Sequence, residues 1–255
     1  MTIRKSAPPN LVGLPSPEFK KELFDASIWQ KGYDCNVSKA IECPCRGGNE
    51  NQALPSCQNC GGIGWVFINK TETKALITGV NRDTKYKQWS QEIIGNVSIT
   101  LRDIEQAGFM DRITLTDEKA IFSEIREIRT SNEQNFIFLS YEIEEIEDIF
   151  VFVADNQKLI RLDSGEYSIN PNNKYSLILE DSVLNSSTNN NISVRYKHKV
   201  QYHILDIPHV IRSSNVTNNL GQIEKVKMPN NYVARLAHYV VRPLVDGTGI
   251  INNDY

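Results

Sequence analysis

Residues 192–204, ISVRYKHKVQYHI, decide the fold class of this chain. Apolar and polar side chains alternate along the stretch, which is the two-residue period of a β-strand. One parity carries Ile192, Val194, Tyr196, Val200, Tyr202 and Ile204, and the other carries Ser193, Arg195, Lys197, Lys199, Gln201 and His203. We therefore predict a long strand that places its first set in a core and its second set in water.

Shorter runs of the same kind precede this strand. They are rich in β-branched and aromatic residues, and turn-forming residues separate them. The runs lie at 65–68, 97–101, 113–116, 136–139 and 149–153. Many short strands with few long helical stretches predict a mainly β fold, an antiparallel β-barrel or sandwich, over residues 65–228.

The rest of the chain divides into flanking segments. Residues 1–15 are rich in proline, and we expect a flexible arm there. A Ser-Pro pair is typical of a helix N-cap and first turn, so residues 16–34 are predicted to hold a short helix. Residues 35–64 contain every cysteine of the chain and are predicted to form a zinc-binding loop, and residues 229–255 to form a C-terminal arm.

Composition limits the possible functions. The 255 residues carry 28 basic and 31 acidic side chains, a net charge of −3, with no Lys/Arg-rich block. This balance argues against salt-sensitive nucleic-acid binding as the main function. No apolar run approaches the ~20 residues that span a bilayer, and the first residues lack the apolar region of a secretion signal. We therefore expect synthesis in a cytoplasm, where thiols stay reduced, and no membrane partner.

Four of the cysteines lie within residues 43–65, CPCRGGNENQALPSCQNCGGIGW. Cys57 and Cys60 have the two-residue spacing that turns both sulfurs toward one ion, and glycines follow them. Cys43 and Cys45 form a tighter pair, with a polar stretch that can bring the two pairs together. Four thiolates complete the tetrahedral coordination of zinc, so the pattern predicts a structural Zn²⁺ site with no open position for a reacting water.

Other interpretations of the cysteines stay open at this point. Cys35 can replace a ligand if the one-residue spacing of Cys43 and Cys45 is too strained. The thiols can also be buried and free, or Cys57 and Cys60 can form a redox pair. A likeness to the zinc region of DnaJ-type chaperones fails, because that module needs several such repeats and this chain has one.

No motif predicts catalysis. The histidines His198, His203, His209 and His238 lie in no metal or nucleophile motif. The acidic run at 142–148 is more typical of a solvated strand edge than of paired catalytic carboxylates. Asp206 and His209 lie close in sequence without a nucleophile, which favours a turn at a strand end. We therefore predict that the chain is not an enzyme and binds no cofactor other than zinc.

The order of several short motifs resembles that of neck proteins of tailed bacteriophages, the head-closure (stopper) or head–tail connector ring proteins. Most of the chain carries the likeness, roughly residues 40–240, and the Asn- and Ile-rich composition is typical of phages of AT-rich hosts, among them crAss-like phages. The motifs are Cys43-Pro-Cys45, Cys57-x-x-Cys60-Gly-Gly-x-Gly-Trp65, Gly95-Asn-Val-Ser-Ile-Thr100, Asp111-Arg-Ile-Thr-Leu115, Gly165-Glu-Tyr-Ser-Ile-Asn170, Val194-Arg-Tyr196, Tyr202-x-Ile204-x-Asp206 and His209-x-x-Arg212.

The resemblance implies a structural virion protein at the junction of head and tail. Its partners would be other copies of itself in a cyclic, twelve-fold homo-oligomer, the portal protein, and other neck or tail proteins, with packaged DNA passing nearby. Its location would be the virion, after synthesis in the host bacterial cytoplasm. The alternatives are a zinc-ribbon nucleic-acid-binding or regulatory protein, and a hydrolase with a β-barrel core.

Overall fold

The structure is a computed structural model. It describes residues 21–47, 53–54, 57, 59–79, 95–131, 134–153, 158–181, 183, 191–208, 213–217 and 223–240. The predicted arm at 1–15, the helix start at Ser16 and Pro17, and His209 lie outside the described residues.

Strands dominate the described residues. The helical elements are α1 (Lys21–Lys31), a short 3₁₀ turn (Pro44–Arg46) and α2 (Ala237–Val240). The first strands are β1 (Tyr33–Glu42), β2 (Trp65–Gly79), β3 (Asn96–Leu101), β4 (Arg112–Glu127), β5 (Arg129–Ser131), β6 (Gln134–Phe138) and β7 (Glu145–Val153). The others are β8 (Lys158–Arg161), β9 (Tyr167–Ile169), β10 (Ser176–Leu179), β11 (Asn191–Asp206), β12 (Ser213–Thr217), β13 (Ile223–Lys227) and β14 (Asn230–Leu236). Neither described α-helix has the length and apolar composition that a membrane crossing requires.

Six antiparallel strands close into a barrel. They follow the order β14-β3-β2-β1-β4-β11, and a pairing of β11 with β14 joins the two ends. Closure pairs the backbone of every strand on both sides, which removes open sheet edges from this part of the fold. The interior is filled by Cys35, Val37, Ala75, Ile99, Leu101, Ile113, Leu115, Ile204, Tyr232 and Ala234.

The two longest strands continue beyond the barrel. There β4 and β11 form a second, four-stranded sheet region with β7 and β8, which we call the extension. A separate sheet, in the order β5-β6-β10-β9, shares a hydrophobic core with the extension. That core includes Ile137 and Leu177 from the separate sheet and Val151, Ile192 and Val194 from the extension. The mainly β prediction is confirmed, and the chain combines a closed barrel with two packed sheets.

A buried carboxylate links the two layers of this second core. The Glu124 carboxylate accepts hydrogen bonds from the Tyr196 hydroxyl at 2.7 Å, from the Ser140 backbone N–H at 2.8 Å and from the Ser140 hydroxyl at 2.7 Å. Arg126 forms an ion pair with the same carboxylate at 2.6 Å. Buried charges are tolerated only when they are paired and hydrogen-bonded, and Glu124 meets both conditions.

The predicted core face of the long strand holds along its length, and His203 departs from the predicted water face. Ile192, Val194, Tyr196 and Ile204 are fully buried, as their parity predicts. Val200 and Tyr202 are half-buried and pack against the barrel core, whereas His203, predicted to face water, is also buried. The pairing of β11 with β4 shifts register between Lys199 and Gln201, and such a bulge changes which side chains face the core.

The segment that contains Met110, together with Phe67, covers the His203 side chain. The backbone N–H of Met110 donates to the Ile204 carbonyl at 2.7 Å, which fixes the segment before β4 over this end of β11. His203 Nδ1 lies 3.3 Å from the Met110 carbonyl oxygen, and its ring packs against Phe67 with 5.3 Å between ring centroids.

Two predicted segment boundaries differ from the structure. Cys35 to Glu42, predicted as part of the zinc loop, belong to β1 and pair with both β2 and β4. Asn230–Leu236, predicted as an arm, form β14 between β3 and β11. The physical reason is the same in both places, since the barrel can close only when these strands supply backbone partners to their neighbours.

Candidate metal centre

The four clustered cysteines lie in the connection between β1 and β2. These strands pair antiparallel up to Glu42 and Trp65, so residues 43–64 form the link at the end of a β-hairpin. Cys43 directly follows β1 and Cys45 lies in the 3₁₀ turn. The Cys43 backbone N–H donates to the Gly64 carbonyl at 2.9 Å, which closes the link above the last strand pair.

The sulfurs converge on one point. All four Sγ atoms, from Cys43, Cys45, Cys57 and Cys60, lie within 4.8 Å of one another. Two of the separations join the two halves of the link, 3.7 Å between Cys43 and Cys57 and 3.5 Å between Cys45 and Cys60. A tetrahedral ion with metal–sulfur bonds of about 2.3 Å places its sulfurs about 3.8 Å apart. The cluster therefore has the ligand type, number and spacing to hold a metal ion.

The disulfide-like alternatives fit this geometry less well. All cysteines are free, and a disulfide requires an S–S distance of about 2.05 Å. The two sulfurs of the alternative redox pair, Cys57 and Cys60, also lie close to the sulfurs of the other half of the link, at 3.7 Å from Cys43 and 3.5 Å from Cys45. Four sulfurs around one point favour a shared ion over an isolated pair.

Cys35 does not belong to the cluster. It lies in the barrel core with 2% of its surface exposed. Burial raises the pKa of its thiol to about 12, so it remains a neutral, apolar core residue.

Backbone N–H groups point at the sulfurs, as they do around metal-bound thiolates. The N–H groups of Cys60 and Asn59 donate to Cys57 Sγ and lower the pKa of the Cys57 thiol to about 7. Burial raises the pKa of Cys60 to about 12, and the N–H groups of Gly64 and Gly62 oppose that rise. Burial likewise raises the pKa of Cys43, against the N–H of Cys45. Backbone donors aimed at the sulfurs of Cys43, Cys57 and Cys60 stabilise thiolate ligands, and a bound cation would stabilise them further.

Gly64 is required by the local conformation of the link. Its φ is +78°, in the left-handed region, and a Cβ atom there would lie 2.7 Å from Arg46 Cδ and 3.2 Å from Ala53 Cβ. The same left-handed turn directs the Gly64 N–H toward Cys60 Sγ. Glycine is the residue that adopts this conformation without strain.

Side chains beside the cluster combine aromatic and charged groups. The Arg46 guanidinium lies over the Trp65 ring, 5.5 Å from its centroid, and also pairs with Glu42 at 3.8 Å. The Phe109 ring packs edge to face against the Trp65 ring, with 6.0 Å between the ring centroids. The Phe109 side chain is 57% exposed. Phe109 comes from a distant segment, so no local pattern in the sequence links it to the cysteines.

The three described histidines take structural positions. His198 is buried and stacks on Tyr141 with centroids 4.1 Å apart, and burial lowers its pKa. Burial lowers the pKa of His203 to about 4, and the nearby Arg112 adds to the effect. The rings of His238 and Phe122 lie with their centroids 5.9 Å apart. Within the described residues, the cysteine cluster is the one group of three or more potential ligands with metal-site spacing.

The acidic run at 142–148 leads into β7 and forms its first residues. Glu145 to Asp148 pair with β11 on one side, whereas β8 pairs only with residues 150–153 of β7. Lys197 pairs with Glu145 at 3.0 Å, and Arg195 pairs with Glu147 at 2.6 Å. Within the described residues, this stretch is therefore a charged strand edge, as the sequence predicts.

Comparison with known proteins adds no family assignment, since no protein-family model and no curated sequence matches this chain significantly.

Proposed function

We propose that this chain is a structural protein of a tailed-phage neck, forming a ring that connects the portal to the tail and guides or retains DNA. The proposal starts from the ordered series of motifs that resembles neck proteins. It places the chain in the virion, with itself, the portal protein and other neck or tail proteins as partners.

One observation carries the proposal: several of the resembling motifs lie in a single structural unit. The motif at 95–100 lies on β3, the one at 111–115 leads into β4, and the one at 202–206 ends β11. These strands belong to the closed barrel, and the cysteine motif caps the hairpin of β1 and β2 in the same barrel. The motif at 165–170 lies instead on β9 of the separate sheet, and the one at 194–196 lies in the extension. If the chain shares its fold with neck proteins, motifs that are far apart in sequence should lie together in one rigid unit.

The ion in the cysteine cluster is, in this proposal, a structural Zn²⁺. Four thiolates leave no open coordination position, so zinc would stabilise the link and would not activate water. Because the link is too short and polar to build a core, metal binding would supply the stability that keeps it rigid. A rigid tip beside Trp65 and Phe109 would suit contact with a neighbouring protein.

A deletion of the gene tests the function directly. Phage that lack the chain should package DNA into heads but should yield particles without tails or with lost DNA, and supplying the chain in trans should restore infectivity. Tailed, infectious particles from the deletion phage would refute the neck function.

A second function is favoured by one feature, the Arg46 guanidinium stacked on Trp65 beside the cysteines. A zinc-ribbon protein that binds nucleic acid would use such a basic and aromatic pair. Arg46 also pairs with Glu42, which reduces the positive charge available to phosphates. Salt-sensitive binding of short DNA or RNA by the monomer would support this second function over the first.

A further inference from the structure

Within the described residues, the extension has an unpaired strand edge on each side. Beyond Leu115, β4 pairs with β11 on one side, and no described strand pairs with its other side. β8 pairs with β7 and with no other described strand. We call residues 116–127 the β4 edge and Lys158–Arg161 the β8 edge. Unlike the strands of the closed barrel, each of these edges leaves backbone groups to which another strand can add.

Both edges expose apolar side chains. On the β4 edge, Ile121 is 51% exposed and Ile125 is 71% exposed. On the β8 edge, Leu159 is 66% exposed and Ile160 is 42% exposed. Open edges are normally protected by charge, proline or a covering segment. Apolar, β-branched side chains on both edges instead favour pairing with a further strand.

The charges of the two edges are opposite. Glu124 and Arg126 pair with each other toward the second core and are left out of the edge charge. The β4 edge then carries Asp117, Glu118 and Glu127 against Lys119, three acidic minus one basic group, a net charge of −2. The β8 edge carries Lys158 and Arg161, a net charge of +2. Pairing of β8 with a second β8 would place Lys158 opposite Arg161, and like charges opposite each other destabilise a strand pair. The charges therefore favour the β8 edge of one copy against the β4 edge of another.

Strand direction allows the same arrangement to repeat. Every neighbouring pair in the order β4-β11-β7-β8 is antiparallel, so β8 runs opposite to β4. A second copy in the same orientation then presents its β4 antiparallel to the first copy's β8. Each copy would use two different surfaces, a heterologous contact that generates a ring when the rotation closes.

We propose that copies of this chain associate by antiparallel pairing of the β8 edge of one with the β4 edge of the next. The inference rests on the proposed ring function for its biological setting and names the contact that would build the ring. Main-chain hydrogen bonds would supply affinity, and the opposite charges would select the partner edge.

Charge reversal on each edge tests the contact. Lys158→Glu makes the β8 edge less basic, and Glu127→Lys makes the β4 edge less acidic. Matched controls are Lys225→Glu on β13 and Glu72→Lys on β2, both exposed and both outside the extension. Sedimentation velocity up to millimolar concentration measures association of the purified, full-length chain with its metal retained.

The wild-type chain should form oligomers, and each edge variant should associate roughly tenfold more weakly, because each substitution removes the net charge of one edge. An equal mixture of the two edge variants should regain association, because the unchanged β8 edge of one variant can pair with the unchanged β4 edge of the other. The controls should associate like the wild type.

A wild-type chain that stays monomeric throughout this range would overturn the edge contact. Edge variants that associate like the controls, or a mixture that regains nothing, would overturn it equally. The ring function is judged separately, by finding the chain in purified virions. A chain that is present there but shows no edge effect would leave the function standing and refute this contact alone.

Discussion

At the scale of single residues, the five thiols have two different environments. Cys43, Cys45, Cys57 and Cys60 converge in the link, whereas Cys35 lies in the barrel core. The chemistry of each thiol follows from where the fold places it, because spacing alone leaves Cys35 as a possible ligand.

Cys57→Ser is expected to release the metal ion. A serine hydroxyl is a poor ligand at neutral pH, and Cys57 is the sulfur whose pKa the backbone N–H groups lower most clearly. Elemental analysis should find about one zinc per wild-type chain and much less in the variant. Cys35→Ala is the matched control and should retain its zinc. Equal zinc content in wild type and Cys57→Ser would contradict the assignment.

Tyr196→Phe should destabilise the fold by about 1–3 kcal/mol, since it removes a hydrogen bond to the buried Glu124 carboxylate. Tyr202→Phe, on the same strand, should change the free energy of unfolding by less than about 0.5 kcal/mol, because Tyr202 is half-buried. Urea unfolding of both variants measures the difference. The reverse ranking would show that the strand places its residues differently.

His203 should make the fold less stable in acid. Burial lowers its pKa to about 4, whereas an unfolded histidine titrates near 6.5. Between these values the unfolded chain binds more protons, so stability falls by up to about 1.4 kcal/mol per pH unit as pH drops from about 6.5 to 4. His203→Asn retains a donor toward Met110 and should show a shallower fall in urea midpoint over this range. Identical pH profiles for both proteins would exclude this role.

At the scale of elements, the link and the strands around it depend on particular backbone shapes. Gly64 adopts a left-handed φ of +78° within the link, whereas Gly79 at the end of β2 has open space where a Cβ would lie. These two glycines offer a direct comparison of a required and a replaceable glycine.

Gly64→Ala should loosen the link and weaken metal binding. The strain of a left-handed φ costs roughly 1–2 kcal/mol, and the added Cβ would press on the Arg46 side chain. Hydrogen exchange should become faster at residues 43–64 while the barrel strands stay protected. Gly79→Ala should leave exchange and zinc content unchanged, and equal behaviour of both variants would remove the special role of Gly64.

The sequence predicted those elements whose signals are local. The alternation at 192–196 and the paired cysteine spacings each identified a feature that the structure contains. β1 and β14 were missed because their place depends on distant partners, Tyr33–Glu42 on β2 and β4, and Asn230–Leu236 on β3 and β11. The register shift after Lys199 also has no local signal, so the burial of His203 could not be read from the alternation.

At the scale of the whole molecule, a closed barrel and an open-edged extension share the strands β4 and β11. The barrel supplies a rigid body that is closed on itself, and the extension offers two unlike edges for neighbouring copies. The cysteine link projects from the barrel hairpin of β1 and β2. A rigid barrel combined with separate contact edges suits a subunit that must hold its shape within a repeating assembly.

Cryo-electron microscopy of purified virions, combined with quantitative mass spectrometry of their proteins, tests the proposed neck function. We expect a ring of this chain between portal and tail, at twelve copies per particle as the resemblance implies, with the cysteine link ordered in each copy. Virions that contain no copies of the chain, or that carry it away from the neck, would refute the neck function.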